Sequence, residues 1–299
     1  MKTINKIKKE LNCAVKKYSF FDNVKYIETD IGNFIIKKNK DDSKLFINLE
    51  RNDFDNYIDY KYQVEDYNLY PYLDDFDIDD DERGLDIVYL MSKLHNKTSY
   101  IKEITIDEIK DIYEKKKIEI KDLKEYYEYL RFITEEKSYL LPTEIYLLKN
   151  ISIIFICLDL TDKYLEEWYN LMKNKKRIRV SLIHNNINLS HLIENNKPYL
   201  ISWDNSKYDL PIYDFINFYK EEFDKLNFID LLKIYKNNIN ISKEELLMLY
   251  IEILMPKKMI LDNSEIKNIY DLTHQNIYLN KTYYLVLKDD KPNEKQEKA

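Results

Sequence analysis

Between residues 184 and 191 the chain reads His-Asn-Asn-Ile-Asn-Leu-Ser-His, which gathers two imidazoles, His184 and His191, and three carboxamides in one polar loop. Imidazole can ligate a metal or carry a proton. An amide such as Asn186 is neutral and non-basic, so it cannot take a proton from a hydroxyl, and losing a general base costs roughly 10²- to 10⁴-fold in rate. Two histidines seven residues apart, with no cysteine beside them, make a poor metal signature, and loop structure is the plainer reading of the pair. Ser202 and Asp204 follow two residues apart, the spacing at which a strand shows both side chains on one face. Asp204, with Asn186 or Asn188, could supply oxygen ligands to a metal. Far upstream, Lys37 and Lys38 end the apolar run Phe-Ile-Ile, where a lysine is either an exposed strand residue or a partner for an anion.

Short strands embedded in helical sequence must position these residues. Val180 to His184 and Pro198 to Trp203 predict two strands flanking the polar loop. Residues 1 to about 80 read as strands and turns, with a hairpin turning at Gly32, a strand-like run at 67–73 broken by Pro71, and a mostly antiparallel sheet implied. The acidic run 74–82 reads as a solvated connector, after which Leu85, Val88, Met91 and Leu94 predict one apolar helix stripe. Residues 105–137 predict one or two amphipathic helices. A further helix starts at Pro142 and Thr143, and its segment 151–160, apolar on every side, is expected as the buried axis of the second lobe. From 211 to 288 the pattern is helical, with Ser242 and Glu245 as a capping box. His95 and His274 read as residues that end or cap helices. The boundaries are therefore an N-terminal lobe 1–73, a connector 74–82, a helical lobe 83–288 carrying the loop 184–191, and a frayed tail 289–299.

Composition narrows the function classes. At 299 residues, with 44% hydrophobic and 14% aromatic residues, the chain can bury a sizeable core and is not expected to be disordered. Its two glycines, Gly32 and Gly84, are too few and too far apart for a glycine-rich phosphate loop. A net charge of −7 without a basic block argues against nucleic acid as a partner. Cys13 and Cys157 show no metal-ligand spacing, which suits a reducing cytoplasm. No stretch is long and apolar enough for a signal peptide or a membrane span, so no membrane partner is expected.

Over about forty residues the chain resembles the kinase-like phosphotransferases that include aminoglycoside phosphotransferases, choline kinases and spore-coat proteins of the CotS type. Their pattern is H-G-D-x-x-x-x-N, then a strand ending in I-D-[WF], then P-x-Y-D-[LF]; here it reads His-Asn-Asn-Ile-Asn-Leu-Ser-His, then Ile201-Ser-Trp, then Pro211-Ile-Tyr-Asp-Phe. The resemblance implies a protein kinase-like α+β fold of two lobes, a small antiparallel-sheet N-lobe and a larger helical C-lobe. It also implies roles: Lys37 for the nucleotide phosphates, Asn186 at the position of the catalytic aspartate, His191 and Ser202 at the metal-binding positions, and His184 and Asp214 as braces of the loop. Glu50 is a weak candidate for the helix carboxylate that pairs with the lysine. Because carboxylate and carboxamide have become hydroxyl and imidazole at the metal positions, weak affinity for ATP and Mg²⁺ is expected, with Asp204 as a possible replacement ligand. The leading expectation is an impaired phosphotransferase homologue that binds a nucleotide or a protein partner, in a bacterial cytoplasm or spore by resemblance. Its alternatives are a divergent small-molecule kinase that uses Asp204, and a structural coat-type scaffold without nucleotide. In the small-molecule kinase reading the acidic connector would attract a cationic substrate; otherwise it is a plain surface turn.

Overall fold

The structure is a computed structural model that describes residues 2–21, 24–38, 43–262 and 264–290. Its N-terminal part comprises α1 (Lys2–Glu10), β1 (Val15–Phe21), β2 (Val24–Thr29), β3 (Gly32–Lys38), α2 (Ser43–Arg51), β4 (Tyr62–Val64) and β5 (Tyr67–Pro71). The strands form one antiparallel sheet in the order β1-β2-β3-β5-β4. Gly32 closes the β2–β3 turn with φ 137°, a region that a side chain would strain. Strand alternation turns Phe34 and Ile36 of β3 into a small core with Ile7, Ile27, Val64 and Leu69, which leaves Ile35 and Lys37 on the opposite face. Two helices appear where the sequence reads as strands and turns. The basic residues of α1 mask its single buried contact, Ile7, and the apolar side of α2 packs elsewhere.

That packing is with the larger lobe: Phe46 and Leu49 of α2, and Phe54 just after it, belong to the large C-terminal core. The elements there are α3 (Asp80–Thr98), β6 (Tyr100–Glu103), α4 (Ile106–Glu135), α5 (Pro142–Met172), β7 (Arg177–Ile183), β8 (Leu192–Glu194), β9 (Pro198–Leu200), β10 (Lys207–Asp209), α6 (Ile212–Glu222), α7 (Phe228–Asn238), α8 (Lys243–Leu254) and α9 (Glu265–Asp290). The fold is thus α+β and two-lobed, a small antiparallel sheet beside a larger helical lobe, as the sequence predicts. Residues 106–135 form one helix, held at its start by a Thr105–Glu108 capping box that satisfies free N–H groups. The Ser242–Glu245 box is present as expected. Among the described residues no helix is long and apolar enough to cross a membrane.

Several expectations need correction. The buried face of α3 runs through Gly84, Ile87, Val88, Met91, Leu94, His95 and Thr98, while Leu85 is 45% exposed. A three-residue step drifts around a helix of 3.6 residues per turn, so the stripe must alternate steps of three and four. The segment 151–160 is not buried all round, since Ile156 is 42% exposed. Full burial falls instead on α8, where Leu247 to Ile251 are all buried between α5, α6 and α9. The acidic run is not wholly solvated either. Asp75 accepts from the Glu194 N–H at 2.8 Å and pairs with Arg83, Phe76 N–H donates to the Glu194 carbonyl, and Arg83 also reaches the Leu192 carbonyl. These bonds dock the connector on the β8–β9 hairpin. His274 does not end a helix: it lies within α9, with its ring against Phe223 and Tyr270.

Candidate functional site in the cleft between the lobes

The polar loop leaves β7 and is built down onto α6. Asp214, with no exposed surface, accepts the His184 N–H at 2.8 Å and the Asn185 N–H at 2.6 Å. Farther along α6, Asn217 donates to the Asn185 side chain at 3.1 Å and Glu222 accepts the Leu189 N–H at 3.0 Å. Three residues of one helix therefore hold both ends of the loop. From the other side, the buried His95 of α3 places Nε2 3.0 Å from Asp214 and Nδ1 2.8 Å from the Tyr235 hydroxyl. The Thr98 hydroxyl of the same helix accepts the Leu182 N–H of β7. His95 thus stands in the last turn of α3, as expected of a residue that ends a helix, but its side chain is a buried support of Asp214. Its signal in the sequence was its place on the buried face of α3, one turn after Met91.

The loop histidines are fixed in different ways. His184 is fully buried; its Nε2 donates to the Ile201 carbonyl at 2.8 Å, and its ring lies 4.6 Å from that of Trp203 and 6.2 Å from that of His191. Burial pushes the His184 imidazole down to about 4, against the pull of Asp214. His191 is half-buried, with Nδ1 2.5 Å from the Asn186 carbonyl oxygen. The Asn188 oxygen caps the short turn 189–191 by accepting from the Ser190 N–H and hydroxyl. Asn186 is half-buried beside them.

Ser202 does not continue a strand. It adopts a left-handed conformation, φ 65° and ψ 50°, and the chain turns through Trp203–Asn205 directly after it. The i, i+2 argument for a shared face therefore does not apply. The turn aims Asp204 at the N-lobe, where its carboxylate lies 4.0 Å from Lys37 Nζ, with both side chains about one-third exposed (38% and 32%). Lys37 also lies over the Tyr70 ring, 5.8 Å from its centroid. Glu50 is exposed on α2 and makes no ion pair among the described residues, so the carboxylate facing Lys37 comes from the C-lobe. The lobes are joined nearby as well. Asp55 bridges Lys93 and Lys197, which hold its carboxyl well below the usual range, and Phe54 packs edge-on against Trp203.

No family model matches the chain, and no curated protein matches it by sequence. Solved structures do match. An aminoglycoside phosphotransferase from Alicyclobacillus acidocaldarius is similar with a TM-score of 0.66 and 11% identity, covering 92% of each chain. Spectinomycin phosphotransferase in its AMP-bound complex is similar with a TM-score of 0.55 and 14% identity, covering 98% of this chain and 95% of that one. The fold is protein kinase-like. At these identities the likeness concerns architecture. Within this kinase-like fold a cavity of about 560 Å³ opens away from the loop, around the start of β7 and among α4, α5 and α8. Two of its charged pairs, Arg179–Glu245 and Lys175–Glu244, neutralise each other.

The residues present in the cleft set what it could hold. Among the described residues no group of three or more His, Cys, Asp or Glu side chains could cage a metal ion. A nucleotide needs less, because its phosphates and water supply most of the ligands and one or two protein donors suffice. Asp204 is suited to be one such donor, and Lys37 beside it could neutralise phosphate.

Proposed function

We propose that this chain is a kinase-like protein that binds a nucleotide as its metal complex between the lobes and is impaired in phosphoryl transfer. The observation that carries the reading is the approach of Lys37 to Asp204 across the cleft, at 4.0 Å. Alone, the pair is near neutral and offers a triphosphate little attraction. A bound divalent cation satisfies the Asp204 carboxylate and releases Lys37 for the phosphate oxygens, so binding of nucleotide and metal should be mutually dependent. The AMP held by spectinomycin phosphotransferase supports a nucleotide as the ligand class. Impairment follows from Asn186: its side chain cannot accept the proton of an attacking hydroxyl, although Asp214 holds the loop in place.

Thermal unfolding with ATP, with and without divalent metal, tests the reading. A ligand at ten times its dissociation constant stabilises the folded state by about 1.4 kcal/mol. The expected result is a rise in Tm only when ATP and metal are both present, and its loss in Lys37→Met. No shift at millimolar ATP with any metal would overturn nucleotide binding altogether. A second reading, a divergent small-molecule kinase, also draws on the position of Asp204. It expects slow, metal-dependent release of phosphate from ATP that Asp204→Asn abolishes, and a rate unchanged in that variant excludes it.

A further inference from the structure

We propose that the metal accompanying the nucleotide is a borderline divalent cation of the cobalt, nickel or zinc type, ligated by Nε2 of His191, and not Mg²⁺. This rests on the nucleotide-binding reading above and specifies its metal. Three observations lead to it.

The first is the tautomer of His191. Its Nδ1 lies 2.5 Å from the Asn186 carbonyl oxygen, and a carbonyl can only accept, so the ring proton sits on Nδ1. The Asn188 side-chain nitrogen, 3.1 Å from the same atom, is itself a donor and competes for it, but the shorter contact decides, because the lone pairs of an unprotonated Nδ1 and of the carbonyl oxygen would repel at 2.5 Å. The lone pair is therefore on Nε2, and among the described residues Nε2 has no hydrogen-bond partner. An imidazole whose Nδ1–H is anchored to a backbone carbonyl while Nε2 stays free is oriented as histidine ligands of metals are.

The second is where that lone pair stands. The backbone of His191 is tied to the segment leading into Asp204, since the Ile201 N–H donates to the His191 carbonyl at 3.0 Å. The rings of His191 and Trp203, the latter adjacent to Asp204, both pack near the buried His184 ring, at 6.2 and 4.6 Å. His191 and the turn that carries Asp204 thus both pack around His184, and Asp204 faces Lys37.

The third is the chemistry of the donors. Magnesium takes oxygen ligands in near-ideal octahedral geometry, whereas imidazole favours later first-row cations. With the oxygens of Asn188 engaged in the turn, the strong donors at this place are one carboxylate and one imidazole, beside the neutral oxygens of Ser202 and Asn186. That set discriminates against magnesium.

The experiment compares Mg²⁺–ATP with Co²⁺–ATP by thermal shift and by titration of the cobalt visible spectrum, for the full chain and for His191→Asn. The expected result is an apparent dissociation constant at least tenfold lower for Co²⁺–ATP than for Mg²⁺–ATP, falling to near parity in His191→Asn. A zinc titration read by ¹⁵N shifts adds a signature independent of the variant's folding. With only four histidines in the chain, a large shift confined to Nε2 of His191 on adding Zn²⁺–ATP is expected. Equal affinity for the two metal complexes, a cobalt preference kept by His191→Asn, or an unmoved Nε2 signal would each overturn the inference while leaving nucleotide binding in place. Absence of binding with every metal would overturn both.

Discussion

Removing the carboxylate of Asp214 should destabilise the whole protein as well as the loop. Its oxygens accept the N–H groups of His184 and Asn185 and face Nε2 of His95, and no part of the residue is exposed. Hydrogen bonds to a charged group contribute about 1.5–3 kcal/mol each, and a buried donor left without a partner costs about 1–3 kcal/mol. Asp214→Asn keeps the shape and one acceptor but sets its new N–H₂ against at least one of those donors. With one bond retained and at least one donor opposed by another, the expected loss is about 2–4 kcal/mol. At about 2.1 cal/mol/K of unfolding entropy per residue, 299 residues convert each kcal/mol into about 1.6 °C, so Tm should fall by about 3–6 °C. Differential scanning calorimetry measures this, with Asp230→Asn as the control, because Asp230 makes only exposed side-chain contacts, with Lys233 and the Asn227 amide, and should shift Tm by about 1 °C or less. A fall in Asp214→Asn no larger than in the control would refute the claim that this carboxylate carries the loop.

Two groups should shape the pH profile with opposite signs. The folded-state pKa of His184 is depressed from 6.5 to about 4 by burial, so its stabilisation is complete above pH 6.5 and is lost as pH falls toward 4. Glu194 is raised from 4.5 to about 7, first by burial and then by the neighbouring Asp86, so its stabilisation is complete below pH 4.5 and is lost as pH rises through 7. Between these limits the two oppose each other. Glu194→Gln, which mimics the protonated form, should leave urea stability near pH 4.5 unchanged and raise it by about 1–2 kcal/mol at pH 8; curves that coincide at both pH values would exclude the buried-carboxyl account. Gly84 meets α3's neighbours closely, since a Cβ there would stand 3.0 Å from Leu226 Cδ1. Gly84→Val should cost about 1–3 kcal/mol by overpacking, and adding Leu226→Ala should recover part of that loss in a double-mutant cycle.

The fold was legible where local chemistry and packing agree. The hairpin at Gly32, the capping box at Ser242 and the motif running from His184 to Asp214 each tie a residue type to a backbone need, and each is present in the structure. What stayed hidden depended on tertiary partners. Nothing local to α2 says that Phe46 and Leu49 leave the N-terminal sheet for the large core, and nothing in 151–160 says that Ile156 faces outward. Asn217 and Glu222 were missed because their role appears only when α6 is laid against the loop, although they share one helix with the recognised Asp214. His95 lay on a stripe whose period was taken as three and not as the alternation of three and four that α3 follows.

For the candidate site, the sequence offered residue types but not the directions of their side chains. It offered Ser202 and Asp204 as companions on one strand face, whereas the left-handed turn at Ser202 sends Asp204 alone toward Lys37. The buried Asp214–His95–Tyr235 array is a hydrogen-bonded unit whose loss would cost the fold stability whatever the cleft binds. That array holds His184 and Asn185, the start of the loop that ends in His191; the loop's neighbour in the fold carries Asp204. Support for a loop that carries one imidazole beside a turn that carries one carboxylate is what the proposed nucleotide-binding cleft requires.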